Sequence, residues 1–136
     1  MSPEMENMPF TFKLEKTPDY LLMIYQGTYK ASLADQFTDQ VLEVCLQHQP
    51  TKVLIDLRQV NGGMKTMDRF VVATFAATKY IGARITGKIP GCRYAIVGSP
   101  PLVDSNKFEE TVAVNRGVAV KVTTEMKEAI DWLAME

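Results

Sequence analysis

VLIDL, at residues 53–57, is the stretch of this sequence that decides its fold. It is short and almost continuously apolar, and it is bounded by Pro50 on one side and by the loop Val60–Gly63 on the other. A strand that is covered on both faces has this pattern, because polar side chains on either face would be buried. The stretch therefore predicts a central strand in a sheet that has other elements packed on both of its faces.

Two strands and a helix are predicted before this central strand. Phe10–Glu15 alternates apolar and polar residues, and Tyr20–Tyr25 is rich in aromatic and aliphatic residues, so the two segments predict a β-hairpin. Ser32 is expected to cap the first helix, with Asp35 in its first turn, and Pro50 is expected to end it. The apolar face of this helix is predicted from residues at helical spacing, which are Leu33, Phe37, Val41, Val44, Cys45 and His48.

A second helix is predicted after the central strand. Thr66 is expected to cap this helix, and Asp68 lies in its first turn. The side of the helix that faces the sheet is predicted from apolar and small residues at helical spacing, which are Phe70, Val71, Thr74, Phe75, Thr78 and Ile81. The segment Thr86–Gly91 holds two glycines and a proline and predicts a connection.

The rest of the chain continues the alternation of strands and helices. A strand is predicted at Arg93–Gly98, a helix at Asp104–Asn115 with Gly117 as its left-handed end, a strand at Val118–Val122, and a last helix capped by Thr124. The resulting order, β-β-α-β-α-β-α-β-α, predicts an α/β fold in which four helices pack on a five-stranded mixed sheet.

Composition indicates one domain and excludes several classes of protein. We expect a single domain over residues 1–136, with residues 1–8 as a flexible N-terminal tail. Fifteen Lys and Arg residues against sixteen Asp and Glu residues give a formal net charge of −1, so a nucleic-acid partner is not expected. The acidic start lacks the pattern of a signal peptide, and no apolar run reaches the roughly 18 residues of a membrane span, which predicts a cytoplasmic protein.

The sequence predicts no metal site, no cofactor and no catalytic motif. His48 is the one histidine, and Cys45 and Cys92 do not form a CxxC pair, so we expect two reduced thiols that pack as small apolar residues. A nucleophile elbow of the Gly-x-Ser-x-Gly type is absent from the sequence. An enzyme that uses Asp56 or Asp104 as an acid or base stays as a weaker hypothesis.

Five segments, in this order along the chain, resemble the STAS domains (sulfate transporter and anti-sigma factor antagonist), and above all their SpoIIAA-like branch. They are VLIDLRQV at 53–60, MDRF at 67–70, YAIVG at 94–98, NRG at 115–117 and EAIDWL at 128–133. The resemblance implies the SpoIIAA-like fold, which is often described as related to the Sec14 lipid-binding fold.

The resemblance also implies a regulatory role through protein contacts. Anti-sigma factor antagonists of this type dock on a partner kinase, and phosphorylation of a serine in an Asp-Ser pair after the central strand switches them. In this chain the corresponding stretch is Asn61–Thr66, which contains no Asp-Ser pair. Thr66 is the only hydroxyl residue in that stretch, and helix capping explains its presence.

The candidate binding site lies where the central strand leads into the second helix. Its residues are Gly62, Gly63, Met64, Lys65, Thr66, Met67, Arg69 and Phe70. Glycines let the backbone approach a ligand, a helix start presents free N–H groups, and the two cationic residues favour an anion. Two methionines beside an apolar helix suit an apolar ligand or a protein partner. An ordinary turn followed by a capped helix explains the same residues, and both readings stay open.

The sequence therefore favours a non-catalytic regulatory module that binds a protein partner. The alternative is a carrier or sensor for a small molecule or lipid, with an apolar pocket beneath the second helix. The ligand in that case is small and either apolar or anionic. A homodimer that pairs edge strands is a further option that the sequence leaves open.

Overall fold

The computed structural model describes residues 10–63, 66–103 and 108–135, and within these ranges five strands form one mixed sheet. The strands are β1 (Thr11–Lys16), β2 (Leu21–Tyr29), β3 (Lys52–Gly62), β4 (Arg93–Val97) and β5 (Ala119–Thr123). The helices are α1 (Ala34–His48), α2 (Thr66–Ile85), α3 (Phe108–Asn115) and α4 (Met126–Ala134), and a short 3-10 turn (Ala31–Leu33) precedes α1. The predicted α/β class and element order are confirmed.

The strand predicted from residues 53–57 lies in the middle of the sheet. The strand order is β1-β2-β3-β4-β5, with β1 antiparallel to β2 and the other neighbours parallel. The strand is longer than predicted, because the nine-residue β2 continues to pair with it as far as Tyr29 and Gly62. The loop predicted at Val60–Gly63 is therefore wrong for its first three residues, which belong to β3.

The alternation of side chains along β3 divides the core into two layers. Val53 and Ile55 face the larger layer, in which α1, α2 and α3 cover the sheet. Leu54 faces the smaller layer, where Ala129 and Leu133 of α4 pack against it. Both faces of the central strand are therefore buried, as the unbroken apolar pattern predicted.

The starts of α1 and α4 differ from the predictions. Neither N-cap residue of these helices makes a side-chain capping hydrogen bond, so the predicted caps at Ser32 and Thr124 are wrong. Ser32 lies inside the 3-10 turn, which moves the start of α1 beyond it, while Asp35 does lie in the first turn. Just before α4, Oγ1 of Thr123 accepts a hydrogen bond of 3.1 Å from the backbone N–H of Glu125, which fixes the turn that leads into the helix. The predicted helix start at Asp104 and the side chain of Thr66 lie outside the described residues.

The face of α2 that packs on the sheet is the largest difference from prediction. The buried residues are Arg69, Ala73, Ala77 and Tyr80. None of the six residues predicted to face the sheet is fully buried: Thr74 and Ile81 are partly buried, and the other four are exposed. Small side chains let the helix backbone approach the sheet closely, so α2 turns Ala73 and Ala77 inward and leaves Phe70, Val71 and Phe75 outward.

The glycine at the end of β3 is predicted to be essential for stability. Gly62 has a φ of +124°, and a Cβ atom there would lie 2.3 Å from the carbonyl oxygen of Tyr29. We therefore expect Gly62→Ala to lower the free energy of unfolding by about 2 kcal/mol or more in urea denaturation. Gly82→Ala is the matched control, because Gly82 lies within α2 with nothing near a new Cβ, and it should raise stability by about 0.5–1 kcal/mol. Equal stability of Gly62→Ala and the wild type would contradict this account of the turn.

Candidate functional site

The glycines of the candidate site pack against neighbouring backbone. A Cβ at Gly63 would lie 3.1 Å from Cγ of Pro101, in the loop that follows β4. This contact brings the loops after β3 and β4 together at one edge of the sheet, where ligands bind in open α/β sheets. Met64 and Lys65 lie outside the described residues. Gly63 thus serves close packing of the two loops, whereas Gly62 packs against the backbone of Tyr29 in β2.

Arg69 joins the start of α2 to the loop after β4. Its Nη1 donates a hydrogen bond of 2.9 Å to the carbonyl oxygen of Leu102, and its Nη2 donates to that of Pro101. The residue is 6% exposed, so the guanidinium group is largely withdrawn from solvent. The planar guanidinium group donates to two backbone carbonyl groups that would otherwise need other hydrogen-bond donors. This geometry gives Arg69 a structural role.

An exposed apolar stripe runs along the outer side of α2. Met67 is 73% exposed, Val71 59%, Phe70 41% and Phe75 40%. These four residues, here called the outer stripe, follow the i, i+3, i+4, i+8 spacing of one helix face. The stripe continues from the candidate site along the first two and a half turns of the helix.

Two cationic groups lie over the rings of the outer stripe. The guanidinium carbon of Arg116 is 5.6 Å from the ring centroid of Phe70, and Nζ of Lys79 is 4.6 Å from that of Phe75. Both distances lie within the range of a cation–π interaction. The stripe is therefore an apolar surface with the positive charge of Arg116 at one margin, while the charge of Lys79 is offset by Asp39 and Asp35.

Asp56 lies on the other side of the sheet and is held by Arg58. Nε and Nη2 of Arg58 donate to the two carboxylate oxygens at 2.9 and 2.8 Å, and its backbone N–H donates at 3.0 Å. Burial acts to raise the pKa of Asp56, but the hydrogen bonds and charge of Arg58 outweigh it and hold that pKa below its usual value. A carboxylate that stays ionised, with both of its oxygens accepting hydrogen bonds, is poorly suited to proton transfer near neutral pH.

An apolar cavity of about 200 Å³ lies beneath α2, between that helix, α1 and the sheet. Five aromatic rings form part of its wall, those of Phe10, Tyr29, Phe37, Tyr80 and Tyr94, and aliphatic residues form most of the rest. The cavity has the position that the alternative hypothesis of the sequence requires.

The two cysteines and the potential metal ligands form no further site in the described part of the chain. Cys45 and Cys92 are buried free thiols, and Sγ of Cys45 lies 3.4 Å from Oη of Tyr94. Among residues 10–63, 66–103 and 108–135, no group of three His, Cys, Asp or Glu side chains is arranged to hold a metal ion. In the same ranges, no helix is both long and apolar enough to cross a membrane.

Comparison with solved structures identifies the fold. An anti-sigma factor antagonist from Mycobacterium paratuberculosis matches with a TM-score of 0.58 at 14% identity, over 98% of each chain. An uncharacterised protein with a SpoIIAA-like fold, from Shewanella loihica, matches with a TM-score of 0.51 at 21% identity, over 98% of this chain and 99% of that one. This chain has the SpoIIAA-like fold.

SpoIIAA itself gives the same result. The anti-sigma factor antagonist SpoIIAA in its unphosphorylated form matches with a TM-score of 0.52 at 13% identity, over 89% of this chain and 94% of that one. At the level of sequence, no protein-family model and no curated protein matches. The fold implied by the resemblance of five short segments is thereby confirmed.

Sequence reasoning missed the contacts that complete this region of the SpoIIAA-like domain. Parallel strands place the loop after β4 at the same edge of the sheet as the candidate site, but nothing in the sequence indicated that Arg69 donates to the carbonyl groups of Pro101 and Leu102. The position of the Arg116 guanidinium over Phe70 was not predicted either. The apolar pattern of the outer stripe was visible in the sequence, but the sequence did not show that these residues face solvent and not the sheet.

Removal of the guanidinium at Arg69 should destabilise the domain. Arg69→Met keeps the length of the side chain but leaves two partly or fully buried carbonyl groups without this donor, which we expect to cost about 2 kcal/mol in the free energy of unfolding. Arg84→Met, on an exposed arginine of the same helix, is the control and should change stability by less than about 0.5 kcal/mol. Urea denaturation measures the free energy of unfolding of both variants. An Arg69→Met protein as stable as the wild type would contradict the role of Arg69 in joining α2 to the loop.

The Asp56–Arg58 pair should make stability depend on pH in the acidic range. Because the pKa of Asp56 is lower in the folded state than in the unfolded state, its stabilisation is fully present above the unfolded pKa of about 3.9 and is lost as the pH falls through the folded pKa. We expect Asp56→Asn to destabilise the domain at neutral pH, and the difference from wild type to shrink as the pH is lowered below about 4.

Asp19→Asn, in the exposed turn between β1 and β2, controls for the loss of one negative charge. Thermal or urea unfolding across the pH range measures the difference for both variants. A wild-type advantage over Asp56→Asn that stays constant down to about pH 3 would contradict the assignment.

Proposed function

We propose that this protein is a non-catalytic regulatory module that binds a protein partner through the start of α2 and the outer stripe. The observation that carries the proposal is the outer stripe itself, four large apolar side chains on one exposed helix face. The proposed contact region comprises the residues of the candidate site, Gly62, Gly63, Met64, Lys65, Thr66, Met67, Arg69 and Phe70, with Val71 and Phe75 added. Within it the buried Arg69 holds the start of α2 in place and does not itself face the partner.

The chemistry of the outer stripe indicates what kind of partner it would bind. Exposed apolar patches on soluble domains mark interaction sites, and burial of aromatic and methionine side chains supplies much of the energy of protein interfaces. Arg116 places positive charge at the margin near Phe70, whereas Lys79 is paired with Asp39 and Asp35. A partner with an apolar centre and an acidic residue opposite Arg116 would complement this surface.

The structural comparisons support a role through protein contacts. Two of the similar structures are anti-sigma factor antagonists, a name that denotes action on another protein. Their identity to this chain is 14% and 13%, so the support concerns the type of module and not a particular partner. A phosphorylation switch is not part of the proposal, because Asn61–Thr66 contains no Asp-Ser pair.

A second candidate function is a carrier or sensor for a small molecule or lipid. The cavity of about 200 Å³ beneath α2 favours it, because ligand sites are concave and mostly apolar. The two candidates differ in the face of α2 that acts. The partner module uses the outer face, and the carrier uses the inner face.

The partner module predicts that polar substitutions in the outer stripe abolish capture of a specific protein. We expect Met67→Ser combined with Val71→Ser to weaken the affinity for the partner about tenfold or more, because central apolar residues dominate interface energy. The measurement is affinity capture from cells that express the protein, with quantitative mass spectrometry, followed by calorimetry with the purified partner.

The matched control is Leu46→Ser combined with Ile85→Ser, which makes the same kind of change at exposed apolar residues outside the stripe. Thermal unfolding verifies that both double variants fold. A protein retained by the wild type and by the control, but lost from the stripe variant, supports the proposal. If wild type and stripe variant retain the same proteins with equal affinity, the outer stripe is not the contact surface. Loss of self-association in light scattering would identify a second copy of this chain as the partner.

A further inference from the structure

The size of the cavity limits what it can hold. At about 200 Å³ it is somewhat larger than an engineered apolar cavity of roughly 150 Å³ that binds benzene. It is smaller than the roughly 300–1,000 Å³ of sites for drug-sized ligands. A substituted benzene ring therefore fits within it, whereas a whole phospholipid or a long acyl chain does not.

The wall of the cavity limits the charge of its occupant. Oη of Tyr80 accepts a hydrogen bond of 3.0 Å from the backbone N–H of Cys92, and the Tyr94 hydroxyl is within 3.4 Å of the Cys45 thiol. These two hydroxyl groups are thus already paired with protein atoms. Burial raises the pKa of both tyrosines, which agrees with poor solvation on this side of the sheet. No Lys, Arg, Asp or Glu is among the lining residues of the described chain, so a charged ligand would lose its hydration without compensation.

The wall of the cavity along the seam between α1 and α2 is not fully buried. Lining residues on the facing sides of these two helices are only partly buried, among them Phe37 and Val41 on α1 and Val72 and Ala76 on α2. Ile96 is also only partly buried, although it lies on β4 between two other strands and faces the helices. The accessible area of Ile96 borders the empty volume of the cavity beneath the two helices.

One lysine joins the two helices across this seam. Nζ of Lys79, on α2, lies 2.8 Å from a carboxylate oxygen of Asp39 and 3.5 Å from one of Asp35, both on α1. All three side chains are partly or largely exposed, and ion pairs in such positions contribute little to stability because water screens them. The link between the helices at this point can therefore break and re-form readily.

We propose that the cavity beneath α2 binds a small uncharged apolar molecule, about the size of a substituted benzene ring, which enters between α1 and α2 beside Lys79. This inference rests on the second candidate function and deepens it by naming the class of ligand and the route of entry. A molecule of this class replaces empty space or loosely held water with van der Waals contacts to the aromatic and aliphatic wall.

The test uses toluene and p-xylene as probes, with benzoate as a charged probe built on the same ring. Methyl carbon–proton spectra of the full chain report binding at Val72, Ala76, Ile96 and Val120, which line the cavity. We expect saturable shifts with both hydrocarbons and dissociation constants of roughly 0.1–1 mM. Benzoate should cause no saturable shift at the same methyl groups.

A variant that fills the cavity provides the second measurement. Ala76→Leu adds volume at a lining position and should weaken toluene binding by about tenfold or more. Ala134→Leu, at an exposed position near the end of α4, is the matched control and should bind as the wild type does. If Ala76→Leu does not fold, the comparison of toluene with benzoate on the wild type decides the ligand class on its own.

Three outcomes would overturn the proposal. Benzoate that binds as tightly as toluene refutes the uncharged class. Decanoate that binds at these methyl groups while toluene does not also refutes it, but leaves the carrier function standing with a different ligand. Absence of saturable shifts with any of these probes refutes both the ligand class and the carrier function.

The route of entry has its own readout. Lys79→Met removes the two ion pairs but keeps the stem of the side chain, so we expect toluene to exchange faster while its dissociation constant changes less than about twofold. Lys127→Met, which removes an exposed ion pair with Asp131 on α4, should leave the exchange rate unchanged. An exchange rate in Lys79→Met equal to that of the wild type would rule out entry beside Lys79.

Discussion

The burial of β3 on both faces is the constraint on which the rest of the structure depends. Val53 and Ile55 anchor the layer formed by α1, α2 and α3, and Leu54 anchors the layer formed by α4. Each such side chain contributes about 1.5–3 kcal/mol when it is fully buried. Because one strand serves both layers, helices must cover both sides of the sheet, and neighbouring strands must supply the backbone hydrogen bonds of a strand that water cannot reach.

Within that frame, α2 has a different role on each of its faces. Ala73 and Ala77 bring the helix close to the sheet, and Arg69 joins its first turn to the loop after β4. The outer stripe faces solvent, and the cavity lies beneath the same helix. The two candidate functions thus meet in one element. An occupant of the cavity would lie against the inner side of the helix whose outer side presents the proposed contact surface.

Asp56 illustrates how a polar residue is accommodated in a central strand. It interrupts the apolar run of β3 and points into the smaller layer, near the end of the covered region. Arg58, two residues further along the same strand, reaches back on the same face and satisfies both carboxylate oxygens. The spacing of two residues makes this possible, because alternate residues of a strand share a face. What looks in sequence like a candidate acid or base is a local ion pair.

The sequence by itself determined the class of fold, the order of the elements and the identity of the central strand, because these follow from local periodicity and from turn residues such as Pro50 and Gly117. It indicated the contact region between β3 and α2 but not its geometry. Only the tertiary structure decided which side of α2 faces the sheet, since both sides are apolar and the choice depends on how closely the helix can approach. Only the tertiary structure brought Arg69 to the carbonyl groups of Pro101 and Leu102, more than thirty residues away. The cavity has the same origin, because an empty volume depends on how several helices and strands pack together, and no single segment of the sequence encodes it.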